Sequence, residues 1–330
     1  MKQFLQKKAK LVFLCMLVLL TCTACANPRG RDGKTLADQI IASEETTIDA
    51  SKINYKDISD KKLKKEIKKN IKDGQYTIQP TTFKDSMSKG WFEGLIVWPI
   101  AQIINLISSK TDAGVGIILT TLLIQMLVFV FTRKSQMSTQ RMQEIQPEIQ
   151  KIQNKYKDKT DERSKMQMAQ EMQNLYQKYD IHPFGSMLIT FIQLPIMMGM
   201  YYATMRSVSV VSGSFMGISL AGTPLDGFKA FDIAYIAIYV LMVIFYIVSM
   251  KLPQWLKKWQ DKKDHVKVKK YAQEETNPMA NSMNMSMYFM TAMICVMYIS
   301  WPMAMSFYWL VSSVIRVCQS LILHQVMNKK

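Results

Sequence analysis

The chain has 330 residues, 49% of them hydrophobic, and carries 42 Lys and Arg against 25 Asp and Glu for a formal charge of +17. The apolar residues gather in long runs, so the excess lysines read as membrane-flanking charge beside anionic lipid; no nucleic-acid motif competes with that reading. Of the five cysteines, Cys15 and Cys22 would leave with an N-terminal signal, Cys25 would take lipid, and Cys295 and Cys318 lie in apolar runs; no pair remains at disulfide or zinc-site spacing, so neither a stapled exterior nor a metal site is expected.

Met1 to Ala26 has the form of a secretory signal. Lys2, Lys7, Lys8 and Lys10 make a basic start, and Leu11 to Leu20 is an apolar run too short to span comfortably. Cys22-Thr23-Ala24-Cys25 follows and resembles a bacterial lipobox, with Cys22 where leucine is usual. Cleavage would remove residues 1–24 and leave Cys25 as a lipidated N-terminus; the alternative is an uncleaved anchor with an incidental cysteine. Residues 25–89 are polar, lysine-rich and poor in aromatics, with one short basic helix expected over Leu63 to Ile71, and read as an extracytoplasmic stalk without a packed core.

Residues 90–110 change character. Trp91, Phe92, Leu95, Ile96, Ile100, Ile103, Ile104 and Ile107 recur near helical spacing, with Glu93, Gln102 and Asn105 on the polar side, and predict an amphipathic helix in the outer membrane interface. Five apolar segments follow, at about 113–132, 184–205, 232–250, 285–300 and 303–324. Ser300-Trp301-Pro302 makes the last two a hairpin. The loops 134–182 and 251–284 and the tail Lys329-Lys330 are basic, whereas 207–230 holds one lysine, Lys229. The positive-inside bias places the basic loops and the C-terminus in the cytoplasm and the N-terminus outside. Within 134–182, Met142, Ile145, Ile149 and Ile152 form one apolar stripe and Met168, Met172, Leu175 and Tyr176 another, joined by a polar turn around Asp158 and Thr160; a cytoplasmic helical hairpin is expected.

The spans contain polar groups that hydrocarbon penalises: Thr121 and Gln125 in the first, Thr190 and Gln193 in the second, Ser312, Ser313, Arg316 and Gln319 in the last, with Trp309 seven residues before Arg316. Such groups face a bundle interior or a wet cavity and mark function. Phosphate loops, HExxH, GxSxG and intramembrane carboxylate pairs are missing. The interior offers amides, hydroxyls and one guanidinium, a surface for transient contacts; no cofactor and no catalytic residue is expected.

Arg141-Met-Gln-Glu-Ile-Gln-Pro-Glu-Ile, Lys155-Tyr-Lys-Asp-Lys, Tyr176 to Pro183, Gln193-Leu-Pro-Ile and Phe307-Tyr-Trp-Leu-Val-Ser-Ser with Gln319, in this order over about residues 90–325, resemble the YidC/Oxa-type membrane protein insertases. The lipobox and short N-terminal region resemble the Gram-positive lipoprotein branch. The resemblance implies an all-α bundle of five transmembrane helices, residues 111–330, with a hydrophilic groove open to cytoplasm and lipid. It implies nascent membrane proteins as clients, with the ribosome, the general translocon and membrane lipids as further partners. The groove residues would be Thr121, Gln125, Thr190, Gln193, Trp309, Ser312, Ser313, Arg316 and Gln319. In the family the first bundle span carries arginine where this chain has Gln125, and proline where it has Val130. Arg316 lies eight residues before His324, as Gln125 lies eight before Arg133, so each is about 12 Å from a cytoplasmic boundary and Arg316 can supply the missing charge. Two other classes stay open: a small-solute transporter or channel, and a non-inserting assembly factor for one membrane complex.

Overall fold

A computed structural model describes residues 28–157, 159, 161–181, 185–263, 289 and 291–328. The expected signal with Cys25, the turn positions Asp158 and Thr160, and most of the loop 251–284 lie outside the described residues. The chain divides into two compact units, one formed by residues up to Lys110 together with Met197–Gly213, the other by Thr111–Ile196 with Ser214–Lys330.

In the first unit, β1 (Thr35–Leu36) pairs in parallel with β3 (Ile53–Asn54), and β2 (Thr46–Asp49) pairs antiparallel with β4 (Gln75–Ile78) in the register Thr46 to Ile78 and Asp49 to Gln75. The lysine-rich helix α1 (Lys61–Asn70) starts at Asp60, whose carboxylate accepts from the Lys62 and Leu63 amides. Helix α2 (Phe83–Lys89) opens on a capping box of Thr82 and Asp85, which satisfies two backbone donors reciprocally. The expectation of a tether without a core does not hold. Ala37, Ile40, Ala42, Ile48, Ile53, Ile58, Ile67 and Ile78 bury together with Val208 and Val211 of the short helix α8 (Val208–Ser212). Single isoleucines scattered among lysines carry no local period, and only non-local pairing collects them.

The segment expected as an amphipathic helix is a π-helical turn, Glu93–Val97, leading into α3 (Trp98–Ser108) with Pro99 in its first turn, where the missing N–H costs nothing. Its polar residues do not face water. Trp98 Nε1 donates to Thr81 O at 2.8 Å, Gln102 Nε2 to Ala42 O at 3.2 Å, and Asn105 Nδ2 to Ile41 O at 2.9 Å. Asn105 Oδ1 accepts from Ser207 Oγ at 2.6 Å, and Glu93 pairs with Arg206. Trp91, Leu95 and Leu106 are left exposed.

The second unit is built on long helices: α4 (Ala113–Glu144), α5 (Gln146–Lys155), α6 (Glu162–Lys178), the first part of α7 (Gly185–Arg206), α9 (Pro224–Ala230), α10 (Ile233–Lys263), a described helical stretch α11 over 291–298, and α12 (Met303–Asn328). Three described helices are long and apolar enough to cross a membrane, within Ala113–Met142, Ile233–Gln260 and Met303–Val326. α7 has 22 residues, with Gln193 and Pro195 inside an otherwise apolar run. Only part of the expected segment 285–300 is described. α12 packs against both α10 and α4.

α4 turns polar groups inward and apolar side chains outward. On α4, Thr120, Thr121, Gln125 and Thr132 are buried, while Leu123, Met126, Leu127, Val130 and Phe131 are exposed. Hydrocarbon around the bundle makes this inversion favourable: apolar side chains lose nothing by facing lipid, and hydroxyls and amides need partners. The expected end of the first span near Thr132 is not a helix end. α4 runs on to Glu144, so Met142 belongs to it, and the break before Pro147 begins the hairpin. α5 and α6 then close on Ile145, Ile149, Leu175 and Ile181, with Met142, Ile152, Met172 and Tyr176 packed partly buried against them.

Candidate functional site

Gln125 is 5% exposed in the middle of α4, and its Nε2 donates to Ser312 Oγ at 3.1 Å. Ser312 and Ser313 are fully buried on α12, and Arg316 Nη2 donates to Ser313 Oγ at 3.0 Å. Gln193 Nε2 on α7 donates to Tyr308 Oη at 3.0 Å. One recess of about 230 Å³ gathers Gln125, Gln193, Arg316 and Gln319 with Gln136, Thr139 and Gln140 of α4, Ser249 and Pro253 of α10, and Ser320 of α12. Val128, Ile189 and Leu323 complete the lining.

Arg316 is the cation of this recess. The ion pairs seen among the described residues are Arg141–Asp180, Lys155–Glu171 and Arg206–Glu93, so none takes up its charge. Aromatic faces hold it instead: its guanidinium carbon lies 5.7 Å from the Trp309 ring and 5.9 Å from the Tyr246 ring. Trp309 in turn stacks on Tyr298, with ring centroids 4.9 Å apart. Cation–π contact of this kind steadies a guanidinium without neutralising it. Arg316 therefore keeps donors for an acceptor from outside.

The site residues expected from sequence are not all placed alike. Gln125, Gln193, Arg316 and Gln319 share the recess, and Ser312 and Ser313 bind two of them from behind. Trp309 is 6% exposed and forms the wall behind Arg316. Thr121 is buried and donates to its own helix at Ile117 O, 2.7 Å away, away from the recess. Thr190 lies on α7 three residues before Gln193. Sequence reasoning passed over Gln136, Thr139 and Gln140. Their signal was present: they continue the Thr121, Gln125, Val128, Thr132 series at three- and four-residue spacing beyond Arg133 and Lys134.

The other end of α12 is closed. Met303, Ala304, Met305, Ser306, Phe307 and Tyr308 are all buried. A β5–β6 hairpin (Ser214–Phe215 with Ile218–Ser219) lies over them, Ala304 N donating to Leu220 O at 3.0 Å and Met303 N to Gly222 O at 2.8 Å. Phe215 meets Phe307 edge to face at 5.2 Å, and it sits so close to Gly114 that a Cβ there would come within 2.1 Å of its ring. Among the described residues no group of His, Cys, Asp and Glu is arranged to hold a metal ion.

Residues 105–330 match the family model described as 60Kd inner membrane protein. The chain is similar to the membrane protein insertase YidC 1 of Streptococcus pyogenes serotype M1, 32% identical over 237 residues, which cover 72% of this chain and 75% of that protein. It is 30% identical over 237 residues to the membrane protein insertase YidC of Enterococcus faecalis, covering 72% and 76% of the two chains. To the membrane protein insertase MisCA of Bacillus subtilis it is 28% identical over 238 residues, covering 72% and 80%.

Proposed function

The chain belongs to the 60Kd inner membrane protein family, the YidC/Oxa1 type, and we propose that it acts as a membrane protein insertase and folding chaperone whose working surface is the recess around Arg316. The observation that carries this reading is the convergence of Gln125, Gln193, Arg316 and Gln319 inside helices that otherwise expose leucine, methionine and phenylalanine. A client's polar segment enters there while its hydrophobic segment slides along the apolar outer faces into lipid. Water and fixed dipoles in the recess shorten the hydrocarbon that a charged client residue meets, which lowers a barrier of about 2.5–3.5 kcal/mol per charge at the bilayer centre. Exchange of solvation needs no nucleotide and breaks no bond, so no catalytic residue and no cofactor enters this scheme.

In this reading five segments cross the membrane: the three apolar helices, α7, and 285–300, of which α11 is the described part. The N-terminus lies outside with lipid on Cys25, and the hairpin and C-terminus lie in the cytoplasm. The hairpin receives clients or ribosomes, and the translocon and lipids are further partners. Exposed Trp91, Leu95 and Leu106, beside a polar edge already satisfied within its own unit, favour an interfacial position for residues 90–110. The buried start of α12 beneath its hairpin favours a recess open at one end, as an insertase needs and a transporter does not.

The test is insertion by the pure protein. Vesicles containing only this chain should insert a short single-span client into a protease-protected form without nucleotide. Insertion no better than protein-free vesicles would leave an assembly factor as the better reading.

A further inference from the structure

Helix α10 has 31 residues, about 46 Å at 1.5 Å per residue, against about 30 Å of hydrocarbon. Counted from Ile233, the hydrocarbon ends about 20 residues on, near Pro253. The described helix continues through Gln254-Trp-Leu-Lys-Lys-Trp-Gln-Asp-Lys-Lys263.

At about 100° per residue, the exposed side chains of Val240, Leu241, Ile244 and Ile247 fall within an arc of roughly 120°. Trp255, Lys258, Trp259 and Lys262 fall on that same arc. Trp255 is 48% and Trp259 63% exposed, Lys258 and Lys262 are exposed, and Lys263 Nζ lies 5.9 Å from the Trp259 ring. Tyr246, Ser249 and Pro253 lie on the opposite face, where Ser249 and Pro253 line the recess. One stripe therefore changes from aliphatic to tryptophan and lysine where the helix leaves the hydrocarbon. Indole settles at the headgroup level, and ammonium groups beside it attract phosphate.

We propose that Trp255, Lys258, Trp259, Lys262 and Lys263 form a binding strip for anionic phospholipid headgroups on the leaflet at this end of α10, the cytoplasmic one in the topology proposed above. A single phosphodiester with no compensating cation, as in phosphatidylglycerol, suits the strip: lysines take the phosphate and the indoles lie against the glycerol and upper acyl chains. The bound lipid fixes the rotation of α10 about its axis and so holds Ser249 and Pro253 toward the recess.

The test uses the full chain in phosphatidylcholine vesicles, with dibrominated phosphatidylglycerol or dibrominated phosphatidylcholine as quencher of tryptophan fluorescence. The emission of Trp255 and Trp259 is taken as the difference from the W255F/W259F variant. We expect that share to be quenched at a severalfold lower mole fraction of the anionic lipid. K258Q/K262Q/K263Q should abolish the preference while quenching by phosphatidylcholine and the melting temperature stay unchanged. Equal quenching by both lipids in the unmodified chain, or a preference that survives the triple glutamine variant, overturns the proposal. No quenching by either lipid also overturns it and points to a water-borne partner, for which RNA binding by the same variants is the next measurement. No client is present, so the outcome is independent of whether the chain inserts proteins.

Discussion

Gln125 on α4 and Ser312 on α12 are hydrogen-bonded at 3.1 Å, both nearly or fully buried, across 187 residues of sequence. The contact joins two of the three helices long and apolar enough to cross a membrane. It does so through a neutral amide and a hydroxyl. Interhelical hydrogen bonds in membrane proteins are worth about 0.6–2 kcal/mol. A double-mutant cycle with Gln125→Leu and Ser312→Ala, read by thermal unfolding in detergent, should give a coupling in that range. A coupling indistinguishable from zero means the contact is not made.

Arg206 and Glu93 form the second buried polar contact of consequence, with side chains only 5% and 14% exposed. Arg206 Nε also donates to Gln39 O at 2.7 Å. Removing one partner of a buried pair strands the other, at a cost of about 3–5 kcal/mol. Glu93→Ala should therefore loosen the unit formed by residues 28–110 and 197–213 and expose its lysine-rich segment to trypsin. An unchanged cleavage pattern contradicts this assignment.

Ile145 and Ile149, each 5% exposed, seat the hairpin against Leu175 and Ile181. Ile149→Asp buries a charge in an apolar cluster and should abolish amide protection in α5 and α6. Lys151→Gln, on the exposed side, should leave protection intact. Equal effects mean the stripes do not hold the hairpin together.

The hairpin also carries a pH dependence. Glu171 accepts from Lys155 Nζ at 2.5 Å and from Tyr156 Oη at 2.8 Å, and these bonds, Lys155 first, hold its carboxyl below the ordinary glutamate value. A carboxylate with a lowered folded pKa adds stability that is complete above the unfolded value, about 4.3, and is lost as pH falls through the folded one. Protection of α5 and α6, corrected for intrinsic exchange, should fall on acidification below about pH 4.3, and Glu171→Gln should flatten that fall. The same dependence in both proteins removes Glu171 as its source.

Much of the membrane unit was legible because its chemistry is local. A glutamine, a serine or an arginine inside an apolar run announces an inward face, and Gln125, Gln193, Ser312, Arg316 and Gln319 do gather. The reach of the recess along α4 was not legible. Arg133 and Lys134 look like a span boundary, yet the helix and its polar stripe run past them to Gln140. The core within residues 37–78 was hidden for a different reason. Ile41 N donates to Arg206 O and Ile41 O accepts from Val208 N, so the strand-like segment is completed by residues far along the chain, and no window of sequence contains both halves. Asn105 shows the same limit: it reads as the polar side of an amphipathic helix, whereas it is a buried hub for Ile41, Ser207 and Ser209.

In the proposed insertase, Arg316 is the charge that a client's acidic residue meets. The direct measurement is insertion by pure proteoliposomes of two clients that differ only in whether the short translocated tail carries an aspartate. Arg316→Ala should lower insertion of the acidic-tailed client by about tenfold, which asks only about 1.4 kcal/mol of a charge pair in a wet, partly buried site, and should spare the neutral-tailed client. Adding Gln125→Arg should restore the acidic-tailed client by returning a cation to the same recess. Undiminished insertion of the acidic-tailed client by Arg316→Ala, at equal protein content, would contradict the account.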